Sequence, residues 1–284
     1  MILPVEDYID VVRTAIQEDI GTGDLSTECL DLADLKGRAI IRAKEQGVIA
    51  GVFVAESVFR ELDENLCVES AVEEGKVVSA GDTVAVFSGN AASLLTGERV
   101  ALNFLQRMSG IATLAYRYSR TIRGSKAVVT DTRKTTPGLR NIEKYSVRAG
   151  GGQNHRMGLY DAILLKDNHI DLAGGIANAV SRARNKYGDS YEIEIETRNL
   201  EEVQQSVDAG ADIIMLDNMS LEMLQEAIDI IDNKAKIEVS GNVSLLSISY
   251  IAQLDVDIIS VGSLTHSPDA LDLSMKFEIV TNDN

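Results

Sequence analysis

From residue 126 onward, short aliphatic and β-branched runs alternate with amphipathic segments, and this alternation limits the possible folds more than any other feature. The runs occupy residues 127–130, 162–165, 191–195, 213–216, 236–239 and 258–261. Strand–helix repeats imply a parallel sheet, because consecutive parallel strands need a crossover segment between them. Six such repeats predict an α/β barrel or an incomplete one. A doubly wound open sheet is the alternative, but no Gly-x-Gly-x-x-Gly motif follows a strand.

Polar or glycine-containing stretches follow all six runs. They are residues 131–134, 166–169, 196–197, 217–218, 240–242 and 262–266. In parallel barrels the functional groups lie at the carboxyl ends of the strands. One polar strand end is ordinary loop chemistry, whereas six ends that alternate between cationic, acidic and glycine-containing predict a binding site.

The positive charges are concentrated in one part of an acidic chain. The whole sequence has a formal net charge of −17. Residues 99–170 hold 13 of its 27 Lys and Arg residues but only 4 of its 44 Asp and Glu residues, which gives this segment a net charge of +9. An acidic protein repels the phosphate backbone at long range, so nucleic acid is not expected as a partner. The cationic segment instead predicts a small anionic ligand.

Three carboxylates at alternate positions, Glu192, Glu194 and Glu196, lie on one face of a predicted strand. A buried carboxylate must be paired, metal-bound or protonated. One interpretation is an edge strand whose acidic face is solvated. The other is that Glu196 faces a cation or Mg²⁺ together with Asp217, because Mg²⁺ binds one or two carboxylates along with substrate phosphates. The second interpretation predicts a magnesium-bound polyphosphate beside an anionic co-substrate.

The first hundred residues predict a separate domain of mixed α and β structure. Helices are expected at residues 5–18, 52–62 and 91–123, strands at 38–42 and 47–50, and a β-hairpin at 76–87. The long third helix has a weak point at Ser109 and Gly110. The hairpin resembles those of lipoyl or biotinyl carrier domains, but no lysine lies at its tip, which disfavours a carrier function.

Chain length and cysteine content limit the number of domains and the cellular location. A chain of 284 residues suits one long domain or two, and we expect two. The two cysteines, Cys29 and Cys67, have neither metal-ligand nor disulfide-framework spacing, which favours a reducing compartment and a cytoplasmic protein. The chain does not begin with a basic segment followed by an apolar run, and no apolar stretch is long enough to cross a membrane, so neither export nor membrane insertion is expected.

Several long motifs occur in a fixed order along the chain. They are residues 18–27, 97–112, 131–140, 150–161, 166–170, 215–218 and 260–266. Together they cover nearly the whole sequence and resemble the quinolinate phosphoribosyltransferase family, the carboxylating nicotinate-nucleotide pyrophosphorylases. The resemblance implies an enzyme that uses Mg²⁺ and joins quinolinate to phosphoribosyl pyrophosphate. The products would be nicotinate mononucleotide, pyrophosphate and CO₂, in the de novo synthesis of NAD.

The resemblance also implies the architecture. Residues 1–110 would form an N-terminal α/β sandwich domain, and residues 267–284 are left open, with a return to this domain as one outcome. Residues 111–266 would form the catalytic domain, an incomplete (open) α/β barrel of parallel strands. Members of the family are expected to be homodimers or larger homo-oligomers, in which the N-terminal domain of one subunit covers the barrel site of the other.

Quinolinate is a planar pyridine with two adjacent carboxylates, and the forked donors of arginine suit such groups. The resemblance implies that Arg133, His155 and Arg156 hold the dicarboxylate. It also implies that Arg99 reaches in from the neighbouring subunit. Without the resemblance, Arg99 would be read as an ordinary solvated arginine on a helix face.

The resemblance assigns the co-substrate to another set of residues. Lys134 and Lys166 would bind the phosphates, with Lys166 near quinolinate as well. Glu196 and Asp217 would hold Mg²⁺ or the ribose hydroxyls, and these four side chains are the expected catalytic groups. Backbone N–H groups near helix starts would cradle the 5′-phosphate. They belong to Ser240, Gly241, Gly262 and Ser263.

Two positions depart from the family pattern. Asn242 stands where the family usually has glycine, but asparagine tolerates a left-handed backbone, so the loop is expected to survive. Gln153 replaces a valine or a similar residue and is expected to face away from the ligand. Of the remaining histidines, His169 is expected in packing or in a hydrogen bond rather than in proton transfer, and His266 near a phosphate or diphosphate.

Four other functions remain open. A paralogous group linked to molybdenum uptake shares the fold, but the complete motifs at residues 131–134 and 166–169 favour the quinolinate enzymes. A nicotinate phosphoribosyltransferase would need fewer cations for its single carboxylate. A Schiff-base aldolase using Lys166 leaves the cationic segment unexplained, and a non-enzymatic anion-binding protein leaves the acidic strand ends unexplained.

Overall fold

The computed structural model describes residues 2–30, 32 and 35–280. These residues form two compact units. The first, which we call the sandwich unit, contains the residues up to Tyr116, Thr135–Gly151 and the described residues from Thr265 onward. The second, which we call the barrel unit, contains Arg117–Lys134 and Gly152–Leu264.

The helices and strands of the described residues are as follows. After a 3₁₀ turn at Val5–Asp7, the helices are α1 (Ile9–Ile20), α2 (Leu25–Glu28), α3 (Val52–Leu62), α4 (Ala91–Thr121), α5 (Arg140–Ala149), α6 (Asp167–Ala173), α7 (Ile176–Tyr187), α8 (Leu200–Ala209), α9 (Leu221–Ile231), α10 (Ile248–Ile251) and α11 (Ser263–His266). The strands are β1 (Lys36–Ala43), β2 (Gly47–Val48), β3 (Cys67–Ala71), β4 (Val77–Val78), β5 (Thr83–Asn90), β6 (Val128–Thr130), β7 (Ile163–Leu165), β8 (Ile193–Thr197), β9 (Ile213–Asp217), β10 (Lys236–Ser240), β11 (Ile258–Ser260) and β12 (Leu273–Ile279). None of the helices in the described part of the chain is both long and apolar enough to span a membrane.

The barrel unit is built on a six-stranded parallel sheet in the order β6-β11-β10-β9-β8-β7. All six predicted runs form its strands. Over the ranges that the structure describes, β6 and β7 do not pair with each other, so the barrel is open, and the prediction of an incomplete α/β barrel is confirmed. Since β8 lies between β9 and β7, the edge-strand interpretation of residues 192–196 is wrong.

One face of this sheet is aliphatic, and the other carries the polar groups. Ile195 pairs with Ile214, and both are fully buried. Ser240 pairs with Asp217 at the carboxyl ends of β10 and β9. Because side chains alternate between the two faces of a strand, the register places Glu196, Asp217 and Ser240 together on the opposite face from the isoleucines.

The sandwich unit contains a four-stranded antiparallel sheet in the order β12-β1-β5-β3. Its hydrophobic core includes Phe59 of α3 and Phe87 of β5, whose ring centroids are 4.8 Å apart. β12 pairs with β1 along its full length, so the chain returns to this unit after the barrel. The fold is therefore an α/β sandwich together with an open α/β barrel. The boundary at residue 110 stays a prediction, and residues 281–284 lie outside the described part of the chain.

The predicted hairpin at residues 76–87 is wrong. β4 pairs with β2 in a separate two-stranded sheet, whereas β5 pairs with β1 and β3. The intervening turn does form, since the Ser79 N–H donates to Oδ2 of Asp82 at 2.8 Å. Alternating hydrophobicity indicates that a strand exists but leaves its partner open, because the partner depends on residues distant in sequence.

The helix α4 continues without a break through the predicted weak point at Ser109 and Gly110. Buried Ser109 accepts the Ala50 N–H at its Oγ, at 3.1 Å. A Cβ atom on Gly110 would overlap the backbone carbonyl oxygen of Asp269. These two small residues therefore mark a close contact between backbones.

We expect Gly110→Ala to destabilise the protein, although alanine favours helix over glycine by about 1 kcal/mol. The added methyl group must displace the backbone at Asp269, and overpacking of this kind costs roughly 1–3 kcal/mol. Thermal unfolding followed by circular dichroism should show a lower Tm. The control, Asn103→Ala at an exposed position of the same helix, should leave Tm unchanged or raise it. A Tm for Gly110→Ala at or above the wild-type value would contradict the close contact.

Candidate active site

A cavity of about 530 Å³ lies at the carboxyl ends of the barrel strands. Every strand of the parallel sheet, or the loop that follows it, contributes to the lining. The lining residues are Thr132, Arg133, Lys134, His155, Arg156, Leu164, Lys166, Glu196, Met215, Asp217, Asn218, Glu238, Ser240, Gly241, Asn242 and Ser260. The polar strand ends recognised in the sequence therefore meet in one cavity within the barrel unit.

Most of the predicted site residues line this cavity. They are Arg133, Lys134, His155, Arg156, Lys166, Glu196, Asp217, Ser240 and Gly241. Gly262 and Ser263 follow β11 at the same strand ends, but they are not part of the lining. Gln153 is not part of it either, and its backbone bonds to Val129 and Asp131.

Two predicted residues belong to the sandwich unit. Arg99 is exposed and lines a different cavity, whose acidic members are Asp19, Asp24 and Glu98. The Nδ1 atom of His266 lies 2.6 Å from Oγ of Ser267. The structure thus groups nine of the predicted residues in one cavity of the barrel unit and places these two in the other unit.

Lys166 and Glu196, at the ends of β7 and β8, form an ion pair in which Nζ donates to Oε2. The lysine side chain is 45% exposed, so the pair is open to the cavity. The backbone N–H of Lys166 donates to Nδ1 of His169 at 3.0 Å. His169 therefore helps to fix the first turn of α6, in agreement with the hydrogen-bonding role expected for it.

The ends of β9 and β10 carry left-handed backbone. Gly241 has φ 91°, and Asn242 has φ 50°. A Cβ atom on Gly241 would overlap the carboxamide of Asn218, so glycine is required there. The expectation that Asn242 adopts a left-handed conformation is confirmed.

His155 lies between two buried carboxylates. Its Nε2 atom is 3.3 Å from Oε2 of Glu194 and 3.3 Å from Oε2 of Glu238. The glutamate side chains are 5% and 0% exposed, respectively. The imidazole nitrogen and the two carboxylate oxygens could also coordinate a metal ion, since they lie within 4.8 Å of one another. A positive charge on His155 would pair both carboxylates without a metal.

The two carboxylates around His155 favour its protonated form at neutral pH. Burial on its own lowers the pKa of the imidazole, but hydrogen bonds to Glu194 and Glu238 and their charges outweigh it and raise the pKa to about 10. The Arg156 backbone N–H lies 2.9 Å from Nδ1, a contact that only a neutral ring accepts. In the protonated ring Nδ1 also carries a proton, so protonation of His155 requires this contact to open.

Arg133 and Arg156 add two more cations to the cavity. Burial lowers the pKa of Arg156, and the nearby positive charge of Arg133 lowers it further. The Nη1 atom of Arg156 donates to the carbonyl oxygen of Ala162 at 3.3 Å. Like charges held together in a partly buried site repel each other, and a bound anion relieves this repulsion. The cavity is therefore suited to an anionic ligand before any ligand arrives.

No site role was predicted for Asp131, Glu194 or Glu238, although Asp131 lies in the polar strand end 131–134 and Glu194 on the acidic strand face. Asp131 is fully buried and accepts the His155 backbone N–H at 3.0 Å as well as the side chain of Asn154. For Glu238 a signal was present, since it lies two positions before Ser240 and so shares its face of the strand.

An open parallel barrel whose strand ends converge on a cationic cavity defines the class: an α/β-barrel enzyme for a small polyanionic substrate. Comparison with known families narrows this class. Residues 24–109 match the family described as quinolinate phosphoribosyl transferase, N-terminal domain, and residues 111–276 match the corresponding C-terminal domain. The chain belongs to the quinolinate phosphoribosyltransferase family.

Named relatives agree with this membership over nearly the whole chain. A protein of Synechocystis sp. named probable nicotinate-nucleotide pyrophosphorylase [carboxylating] is 47% identical over 271 residues, which cover 94% of this chain and 90% of that protein. A Bacillus subtilis protein of the same name is 43% identical over 258 residues, covering 91% and 89%. The crystal structure of NadC from Streptococcus pyogenes is similar with a TM-score of 0.95 and 41% identity, covering 99% of this chain and 100% of that one.

We expect His155 to remain protonated at pH 8. Because its folded-state pKa lies above the unfolded value of about 6.5, the charge contributes stability that is complete below pH 6.5 and is lost as the pH rises through 10. The ring Cε1–H resonance, assigned with a His155→Asn variant, should show no titration between pH 5 and 8. Glu238→Gln should lower the pH at the midpoint of the His155 titration, because one of the two carboxylate charges is removed. A wild-type midpoint near 6.5 would show that the carboxylates do not hold the proton.

Proposed function

We propose that the protein transfers the phosphoribosyl group of phosphoribosyl pyrophosphate to the ring nitrogen of quinolinate and releases CO₂. The products are nicotinate mononucleotide and pyrophosphate, in the de novo synthesis of NAD. The observation that carries this proposal is the strand-end cavity in which five cationic side chains share the lining with carboxylates. Both substrates are polyanions, while the ribose gains positive charge during transfer, so both signs are needed. The names of the Synechocystis and Bacillus subtilis relatives agree with this reaction.

Arg133, His155 and Arg156 would bind the two carboxylates of quinolinate. The guanidinium groups can donate pairs of hydrogen bonds to a carboxylate. His155 would act differently, because its Nε2 atom faces Glu194 and Glu238. It would supply a fixed positive charge at the edge of the site, with its ring orientation set by the protein.

Phosphoribosyl pyrophosphate would occupy the other part of the cavity. Lys134 and Lys166 would contact its phosphates, and His266 would contact the diphosphate. The 5′-phosphate would be held by backbone N–H groups at the carboxyl ends of β10 and β11. These groups belong to Ser240, Gly241, Gly262 and Ser263.

The residues present fit a Mg²⁺ ion. Glu196 and Asp217 are oxygen donors at neighbouring strand ends and line the same cavity. One oxygen of Asp217 accepts from the side chain of Asn218, and the other accepts no hydrogen bond from the residues that the structure describes. We assign Mg²⁺ or the ribose hydroxyls to this pair of carboxylates. A bound ion would supply neutralisation of the pyrophosphate charge.

The side chains would stabilise the charges that develop at each stage of the reaction. The ring nitrogen of quinolinate donates its lone pair to the anomeric carbon while the bond from that carbon to pyrophosphate breaks. Lys134 and Lys166 would balance the charge of the departing pyrophosphate, and Glu196 and Asp217 would stabilise the oxocarbenium-like centre. The nitrogen is then quaternary. Its positive charge stabilises the carbanion that remains when the adjacent carboxylate leaves as CO₂, and a proton takes the place of that carboxylate.

The assembly is part of the proposal. We expect a homodimer or a larger homo-oligomer with shared sites, in which Arg99 of the partner subunit contacts quinolinate. The exposed position of Arg99 supports this role. We also propose a cytoplasmic location, supported by the free thiols of Cys29 and Cys67, since a reducing compartment preserves such thiols.

The purified protein should convert quinolinate, phosphoribosyl pyrophosphate and Mg²⁺ into equal amounts of nicotinate mononucleotide and CO₂, and EDTA should stop the formation of both. Chromatography and release of label from quinolinate labelled at the 2-carboxylate would follow the two products in the same samples. Product from nicotinate but not from quinolinate would favour a nicotinate phosphoribosyltransferase. Absence of product from either would favour the molybdenum-linked paralogues or a binding protein.

Arg133→Ala should abolish measurable quinolinate binding in calorimetry. Loss of one charged hydrogen-bond partner costs about 1.5–3 kcal/mol, a factor of roughly 10 to 150 in affinity, and the guanidinium provides more than one such bond. Arg133→Lys should retain part of the affinity, because the charge remains but the fork is lost. Arg182→Ala, at an exposed position of α7, serves as the control and should bind normally. An unchanged quinolinate affinity in Arg133→Ala would refute the assignment.

A further inference from the structure

A chain of side-chain hydrogen bonds links the ends of β9 and β10. The Nδ2 atom of Asn242 donates to Oδ1 of Asn218 at 2.9 Å. The Nδ2 atom of Asn218 in turn donates to Oδ2 of Asp217 at 2.7 Å. The Asn218 backbone N–H donates to the carbonyl oxygen of Ser240 at 2.9 Å, which joins the two strand ends a second time. We call the series Asn242, Asn218 and Asp217 the amide relay.

Two members of the amide relay and the glycine beside them have left-handed backbone. Asn218 and Asn242 both have left-handed backbone, with φ values of 55° and 50°. Asparagine adopts this conformation more readily than most residues. Gly241 has φ 91°, and the Asn218 carboxamide lies where its Cβ atom would be. The loop therefore brings the Asn218 side chain directly over the backbone of Gly241, within reach of both neighbours in the relay.

The Asn218 side chain, in the middle of the relay, needs a hydrogen bond from Asn242 to fix its orientation. Asn218 is exposed, and an exposed side chain loses conformational freedom when it is held in one orientation. The bond from Asn242 to Oδ1 of Asn218 fixes which end of the carboxamide faces Asp217. The NH₂ group is then the end that meets the carboxylate, which is the favourable pairing.

We propose that Asn242 is a positioning residue for phosphoribosyl transfer, which acts through Asn218 to fix the orientation of the Asp217 carboxylate. Oδ2 of Asp217 is held by the protein, and the other oxygen stays available for the ribose hydroxyls or Mg²⁺. This inference rests on the proposed function, in which Asp217 contacts the phosphoribosyl substrate. It goes beyond that function because it gives a role to the uncharged amide side chains of Asn218 and Asn242.

The first variant is Asn242→Gly. Glycine adopts the same left-handed backbone, so the loop is preserved and only the carboxamide is lost. The KM for phosphoribosyl pyrophosphate should rise roughly three- to tenfold, the effect of losing about one hydrogen bond. The KM for quinolinate should stay within about twofold, because the dicarboxylate contacts are intact. Calorimetric titration of phosphoribosyl pyrophosphate with Mg²⁺, in the absence of quinolinate, should show the same loss of affinity without depending on turnover.

The matched control is Asn233→Gly. Asn233 is another exposed asparagine with left-handed backbone, at φ 58°, in the loop before β10 and away from the cavity lining. Asn233→Gly removes the same side chain and makes the same change in backbone preference, but it leaves the amide relay intact. Its KM values and affinity should equal those of the wild type. If Asn233→Gly reproduced the loss, the effect would come from the backbone, and the proposal would be wrong.

A double-mutant cycle with Asn218→Ala tests whether Asn242 acts through Asn218. In the Asn218→Ala background, Asn242→Gly should have no further effect on the affinity for phosphoribosyl pyrophosphate. Additive losses would show that Asn242 contacts the substrate directly and would overturn the relay.

The outcomes separate the two levels of the proposal. A wild-type protein that binds and turns over phosphoribosyl pyrophosphate, with Asn242→Gly unchanged and a Tm equal to that of the wild type, would overturn the relay alone. A wild-type protein that neither binds nor turns over this substrate would overturn the proposed function, and the inference would fall with it.

Discussion

The parallel register of β8, β9 and β10 is the constraint on which the rest of the structure depends. It aligns alternating sequences so that one face of the sheet is aliphatic and the other carries Glu196, Asp217 and Ser240 at one edge. A slip of one residue in any strand would exchange its two faces. It would place carboxylates among the buried isoleucines and apolar side chains in the cavity. Stability of the barrel and assembly of the site therefore come from the same pairing.

Charge compensation within the barrel explains how so many cations can be held together. Buried Glu194 and Glu238 face His155, and Glu196 faces Lys166. Each acid lies on a strand, and each base lies on a loop or at a helix start. The acids can remain paired while the ligand is absent, which limits the penalty of leaving them buried. Two guanidinium groups and Lys134 add positive charge beyond these pairs, and that excess is what favours a polyanionic substrate.

Local sequence patterns predicted much of this molecule. The six barrel strands and their polar ends followed from short aliphatic and β-branched runs, and from the rule that parallel strands end at one edge. The partner of β5 could not be read from residues 76–87, because pairing depends on strands far away in the chain. The position of Glu238, two residues before Ser240, indicates only which face of the strand it occupies; its role depends on contact with His155, which is distant in sequence. Asn242 was recognised as a departure, but its bond to Asn218 depends on the approach of two strand ends.

The pairing of β1 with β12 brings together residues that are about 240 positions apart in sequence, as Arg38 and Glu278 show. During synthesis, β1 emerges before all six barrel strands, and its neighbour β12 emerges after them. Strands β7 to β11 can pair in turn as they leave the ribosome, whereas the antiparallel sheet waits with one side of β1 uncovered. An uncovered strand edge invites pairing with other chains. The order of synthesis thus differs from the order of completion, and until β12 emerges one edge of β1 stays open to pairing with other chains.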